Sequence, residues 1–464
     1  MSIRDDERRQ IVKVDYVIGI KKKLGTGPLA TNLFEGAYGT APTGSSAKYK
    51  FHKQKRILIK TIDVRLVSDE VDLGLLQRLD HPNIANYLFI REWSDCWTSN
   101  IVIIQTYCEY HLGHLAQLLS YNWLTGQVVK SIVKGISSGL AYLHEQTPQP
   151  IVHRNLKPSN ILVKPPLALP TGFVLTDFWY SNCTGPPRTG ISRFFCCGPS
   201  FPEAGDPAIL RWMAPELRSG EGGPATPAMD MFSFGLILEY LLSHGPLPLD
   251  GVDDYLFRLL VQELMLVKPT GRISAKDVLH RHPLLIESRE RNVNDITNAR
   301  MRYIKESYDR ILRRDPNLER KKLRQLIDAK ARSIIGDDIF PWNESQEYPT
   351  TDSFNYRIFT EMNMISQKSF DPNSLFDLLR LIRYSKKFLS VGGTGYAELI
   401  GEIKSDAFNT CYPFIIPFVY IYLDCTIEPA LLSSTLFGKI NRIKGIKFKN
   451  GSKKKTRKSK KKAE

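Results

Sequence analysis

The stretch Ile151-Val152-His153-Arg154-Asn155-Leu156-Lys157-Pro158-Ser159-Asn160-Ile161-Leu162-Val163 constrains this chain more than any other part of it. It stands in a fixed series with other short segments. Upstream are Arg56-Ile57-Leu58-Ile59-Lys60 and an acidic residue, Asp72, nine positions before His81-Pro82-Asn83-Ile84. Downstream come Leu175-Thr176-Asp177-Phe178-Trp179, then Arg211-Trp212-Met213-Ala214-Pro215-Glu216, then Asp230-Met231-Phe232-Ser233-Phe234-Gly235. Each segment alone is weak, and the order and spacing of the set are what point to one fold.

The series resembles that of protein kinases and implies an α+β, bilobal protein-kinase fold. In that family a loop aspartate orients the substrate hydroxyl and accepts its proton, and a loop asparagine holds a metal ion over the phosphates. Here Asn155 stands at the base position, and an amide cannot take a proton; Lys157 and the metal-position Asn160 are kept. By the same resemblance Asp177 falls on the Mg²⁺-binding aspartate, with Trp179 in place of the following glycine. Lys60 falls on the lysine that grips the α- and β-phosphates, with Asp72 or Glu70 as its acidic partner, and Arg272 on the arginine that pairs with Glu216. The glycine-rich segment Leu24-Gly25-Thr26-Gly27-Pro28-Leu29-Ala30 keeps Gly25 and Gly27 for close backbone approach to phosphate. Ala30 replaces a third glycine, and Pro28 removes a backbone donor. The implied ligands are ATP or ADP with Mg²⁺ at Asn160 and Asp177. The residues also admit plainer roles: a solvated lysine at 60, a turn cap at 177, a loop brace at 160.

A chain of 464 residues has room for two or three domains. The segments occupy residues 16–288 after a lead of 1–15, which leaves a stretch of 289–430 and a tail of 431–464. Seven scattered cysteines without CxxC spacing indicate neither a zinc site nor a disulfide framework. The charged start, Met1 to Glu7, lacks the apolar core of a signal peptide. The longest apolar run, Cys411 to Leu423, contains Pro413 and Pro417 and is too short to span a bilayer. A soluble protein of the cytoplasm, the nucleus or both is expected. Net charge is +16, of which residues 446–464, with ten Lys/Arg and one Glu, contribute +9. Such a run repels itself and is predicted to be disordered; it suits nuclear import, RNA or an anionic membrane, or simple solubilisation. Basic residues also crowd Arg310 to Arg332, where Leu312, Leu318, Leu323 and Ile327 recur at helical spacing, so most of that charge is expected on a solvated helix face.

Beyond residue 289, Ser374-Leu375-Phe376-Asp377-Leu378-Leu379-Arg380-Leu381-Ile382-Arg383 resembles the signature helix of the kinase-extension nuclease (KEN) domain, which follows the kinase fold in ribonuclease L and in the inositol-requiring kinase/endoribonuclease of the unfolded protein response. Tyr412 to Leu423 is similar to that domain's closing helix. The spacing from Gly25 to Gly36 is one residue longer than usual, as in the unfolded-protein-response enzyme, and His-Arg-Asn is similar to the ribonuclease L loop. The resemblance implies an all-α extension over 289–430. KEN nucleases cleave RNA through a 2′-hydroxyl, which needs acid/base groups and cationic stabilisation of phosphate. Arg383 is kept, but Tyr384 follows it, Phe388 stands at the histidine position, and Phe370 falls near the upstream tyrosine.

The leading expectation is therefore a nucleotide-binding pseudokinase with a degenerate KEN-like extension. It would act as a scaffold, regulator or RNA-binding protein, and ligand binding would shift it toward a homodimer or a docked state. The alternatives are a weakly active Ser/Thr protein kinase and an active endoribonuclease.

Overall fold

The computed structural model describes residues 10–13, 16–26, 32–40, 50–63, 78–94, 99–114, 124–147, 149–164, 172–177, 182–183, 211–218, 225–244, 247–249, 251–286, 293–314, 316–335, 341–342, 354–391, 397–404, 407–412 and 414–425. Six strands come first: β1 (Gln10–Lys13), β2 (Tyr16–Thr26), β3 (Asn32–Thr40), β4 (Lys50–Asp63), β5 (Tyr87–Ser94) and β6 (Ser99–Thr106). They form one antiparallel sheet in the order β1-β2-β3-β4-β6-β5. Side chains alternate between the two faces of a strand. On β4 that period places Ile57 and Ile59 against Phe34, Val102 and Ile104, and it leaves Lys60 on the opposite face. Strand β6 is buried on both sides: Val102 and Ile104 join this cluster, while Ile101 and Ile103 join the larger core below. Its unbroken apolar run thus has a physical cause.

Two short sheets follow. Strand β7 (Tyr110–His111) pairs with β9 (Ile161–Lys164), which pairs with β10 (Gly172–Leu175), and β8 (Ile151–Val152) pairs with β11 (Asn182–Cys183). They lie on α1 (Gly126–His144), whose Thr125 side chain caps it by accepting from the Val128 amide at 3.3 Å. Gly139 on α1 is required by proximity, since a Cβ there would come within 2.9 Å of the Asn83 carbonyl and of Leu175. The His81–Ile84 segment is thereby tied to β10: Leu175 N–H donates to Asn83 O at 2.9 Å, and Ala85 N–H donates to Leu175 O at 2.8 Å.

The remaining helices are α2 (Pro215–Arg218), α3 (Pro227–Ser243), α4 (Gly251–Leu264), α5 (Ala275–His280), α6 (Val293–Arg314), α7 (Arg320–Ile335), α8 (Phe354–Ser366), α9 (Leu375–Val391), α10 (Ala397–Lys404), α11 (Ala407–Cys411) and α12 (Ile415–Leu423). The described regular structure beyond residue 293 is all helical. Pro417 sits in the first turn of α12, where proline is tolerated because its missing donor has no helical partner.

One hydrophobic core runs without a break from Leu140, Phe234 and Leu260 to Leu379, Phe418 and Val419. At the junction the Tyr420 hydroxyl donates to Glu263 at 2.9 Å, and both side chains are fully buried. Arg310 binds Asp424 through two contacts of 2.9 Å. The Arg310–Arg332 stretch therefore differs from a purely solvated face. Arg313, Arg314, Lys321 and Lys322 are exposed, but Arg310 is paired, and Arg324 contacts Asp371 at 2.5 Å and Asp377 at 3.3 Å. Helical spacing identified the apolar side of these helices and carried no signal for carboxylates that arrive from distant sequence. Cys108, Cys411 and Cys425 form no disulfide. Among the described residues no helix is long and apolar enough to cross a membrane.

Candidate active site

The cleft site is assembled from β4, the loop after β8 and the end of β10. Lys60 is 4% exposed, and its ammonium forms an ion pair with the Asp177 carboxylate, a quarter of which is open to solvent. Asp177 has φ 66°, a left-handed conformation uncommon outside glycine. The residue before it is fixed from both sides. Thr176 N–H donates to Asn160 O at 3.0 Å, and its hydroxyl donates to the Gln105 side chain at 3.1 Å. Asn160 in turn donates its side-chain amide to the Asn155 carbonyl at 2.8 Å, so its amide oxygen remains as an acceptor.

The loop is held by a carboxylate from α3. Asp230, fully buried, accepts from His153 N–H at 2.8 Å and meets His144 Nε2 at 2.9 Å through one oxygen, and accepts from Arg154 N–H at 2.8 Å through the other. Burial would push this carboxyl up, but the contacts with His144 and the loop amides outweigh it and hold the group below its ordinary value. Burial also lowers the pKa of the His153 imidazole. Arg154 adopts φ 64°, and the Asp230 contact holds it there. Asn155 keeps its backbone in place by donating to His153 Nδ1 at 3.3 Å, and its side chain is half-buried. Lys157 is also half-buried, and its carbonyl accepts from Asn160 N–H at 2.9 Å. A second anchor lies below: Arg272 binds Glu216 at 2.5 and 2.9 Å and stacks over Phe232 at 4.8 Å.

The donor set suits nucleotide with Mg²⁺. Asn160 and Asp177 offer hard oxygens, and Mg²⁺ is commonly held by one or two carboxylates plus substrate phosphates. Lys60 supplies a buried cation for phosphate. No cluster of three or more His, Cys, Asp or Glu side chains able to hold a metal ion occurs among the described residues. Gly25 lies at the end of β2 with φ 153°. Gly27, Pro28, Ala30, Glu70, Asp72 and Trp179 lie outside the described residues. Among the described residues, Lys60 pairs with Asp177.

A family model of the protein kinase domain matches residues 31–276, more than half of the chain. The chain belongs to the protein kinase family. This kinase-fold chain is 28% identical to the cytokinesis protein sepH of Aspergillus niger over 55% of its own length. It is 29% identical to the MAP kinase kinase kinase wis4 of Schizosaccharomyces pombe over 42%, and 32% identical to mouse mitogen-activated protein kinase kinase kinase 13 over 40%. The match spans 19%, 13% and 16% of those relatives, so the chain covers less than a fifth of each.

A second cluster lies on the extension, around α9. Arg383 donates to Asp309 of α6 at 3.0 Å and stands 5.7 Å from the Tyr308 ring. Lys368 donates to the Tyr384 hydroxyl at 2.6 Å, and this bond draws the phenol's pKa below its ordinary value. Phe370 is buried beneath Arg380, 4.6 Å away, with its ring edge toward Tyr384. Phe388 falls within α9. The Lys368–Tyr384 contact was missed in the sequence: the two residues are 16 positions apart, and only the packing of α8 and its following turn on α9 brings them together.

Proposed function

We propose that this chain binds ATP with Mg²⁺ between its sheet and helical lobes and acts as a Ser/Thr protein kinase whose transfer step is slowed by Asn155. The carrying observation is the convergence of Lys60, Asn160 and Asp177 on one cleft, fixed by the Thr176–Asn160–Asn155 bonds. The names of two of these relatives, both MAP kinase kinase kinases, support the same reading. When bound, Mg²⁺ neutralises charge between the phosphates; Asn160 and Asp177 would hold it. Lys60 would neutralise and orient phosphate. Asn155 can hold a hydroxyl by hydrogen bonding without removing its proton. Phosphoryl transfer depends mostly on positioning and electrostatics, so losing the carboxylate slows the step without abolishing it. Radiolabel from ATP is expected to pass to a Ser/Thr substrate, and Mg-ATP to raise the melting temperature, with both effects lost in Asp177→Ala and Lys60→Ala. Equal labelling by the Asp177→Ala protein would refute the proposal.

A second reading is favoured by Asn155 and by the chemistry around α9. In it residues 16–288 form a pseudokinase, 289–430 a degenerate KEN-like domain that binds RNA or a second copy of the chain, and 431–464 a basic tail. Gly25, Gly27 and Asp72 would complete the nucleotide site, with ADP as well as ATP as ligand, and Lys157 would remain in the catalytic loop. Arg383 would contact RNA phosphate, as the conserved cation of the KEN motif. This reading expects retention of a structured RNA without cleavage, and weaker retention by Arg383→Ala. Cleavage that disappears in Arg383→Ala would instead make the extension a working endoribonuclease.

A further inference from the structure

Arg211 opens the segment that ends in Glu216, and aromatic contacts fix where its charge sits. Its guanidinium lies over the Trp212 ring at 5.2 Å and over the Tyr240 ring at 5.7 Å. The two rings meet edge to face with centroids 5.5 Å apart. Both are half-buried, while Arg211 is exposed. A cation beside two aromatic faces is attracted to each, and a guanidinium is a planar fork matched to carboxylate and phosphate. The cluster is tied to the catalytic loop. Ala214, two residues after Trp212, packs with Val152, Met229 and Phe232 in one buried cluster, and Val152 lies three positions before Asn155. Helix α3 spans the remaining gap. Asp230 near its start holds the His153 and Arg154 amides, and Tyr240 near its end carries Arg211. The ten residues from Asp230 to Tyr240 rise about 15 Å. An extended peptide covers that distance in about four to five residues.

We propose that the Arg211–Trp212–Tyr240 cluster reads an anionic side chain, carboxylate or phosphate, in a protein substrate, about four to five residues from the Ser or Thr that faces Asn155. This rests on the kinase reading above and adds to it a class of substrate, acidic or already phosphorylated segments. The net charge of +16 attracts such partners in general, whereas the cluster fixes the place of one anion. Of the acids nearby, Glu216 is held by Arg272. Glu239 is exposed and lies about 100° round α3 from Tyr240.

The test measures binding of fluorescent Ser peptides to the full chain by anisotropy, which needs no phosphoryl transfer, alongside radiolabelling of the same peptides. A peptide with Glu four or five residues from its Ser, on one side or the other, is expected to bind about fivefold tighter than its Gln counterpart, the size of an exposed ion pair. Phosphoserine in place of that Glu should bind at least as tightly. Glu placed next to the Ser should bring no gain. The gain is expected to vanish in Arg211→Gln and to pass to an Arg peptide in Arg211→Glu, with melting temperatures reporting that both variants fold. The spacing series on the parent protein stands without any variant. A gain equal at every spacing would reduce the effect to net charge and overturn the site, as would a gain kept in Arg211→Gln. A spaced Glu preference without labelling would refute the transfer step and leave the substrate site standing.

Discussion

Asn155→Asp is expected to raise phosphoryl transfer from ATP to a Ser/Thr substrate by about 10²–10⁴-fold, the range over which a positioned general base contributes. The substitution is nearly isosteric. The loop geometry also does not depend on the side chain, because the Asn155 backbone is held by its own bonds to His153 and Asn160. The gain should therefore come from proton transfer and not from refolding of the loop. It should disappear when Asp177→Ala is added, since an oriented base is useless without positioned phosphate. Initial rates for the parent, the single variants and the double variant measure this directly. An Asn155→Asp protein no faster than the parent would mean that something other than the missing carboxylate limits transfer.

Asp230→Ala is expected to cost about 3–5 kcal/mol, the range for removing one partner of a buried charged contact. Two loop amides, those of His153 and Arg154, would lose their acceptor in a site closed to water, and each orphaned buried donor is costly. Arg154 would also lose what holds it in its left-handed conformation. The melting temperature should fall by on the order of 10 °C. Asp230→Asn keeps one acceptor oxygen and should fall between the two. Thermal unfolding followed by circular dichroism would decide it, and a shift of only about 1 °C in Asp230→Ala would contradict this account.

The kinase fold was legible because its signals are local. The HPNI segment, the catalytic loop and the APE motif each carry their residues within a few positions, and their order survives whatever happens between them. Lys60 could be placed from the likeness of Arg56-Ile57-Leu58-Ile59-Lys60 to the kinase family's lysine segment and from its place in the series. The contact of Lys60 with Asp177 was not legible, because the ion pair joins residues 117 positions apart; the acids the sequence offered, Asp72 and Glu70, lie outside the described residues. The same limit applies to the extension. Its apolar spacing predicted helices, but pairs such as Arg310–Asp424 and Arg383–Asp309 join residues far apart in the sequence. The sequence suggested a disarmed enzyme from Asn155 in the kinase half and from Tyr384, Phe388 and Phe370 in the extension. The likeness to working kinases gives more weight to the cleft that remains around Asn155.

The bond from Tyr420 to Glu263 reaches back 157 residues, from α12 to α4. During synthesis α4 leaves the ribosome well before α12, at some 5–20 residues per second. In that interval the carboxylate of α4 and the apolar faces of its neighbours stay open to water. The helical lobe of this kinase therefore matures late, and its last wall is supplied by a helix that lies far beyond the kinase segments themselves.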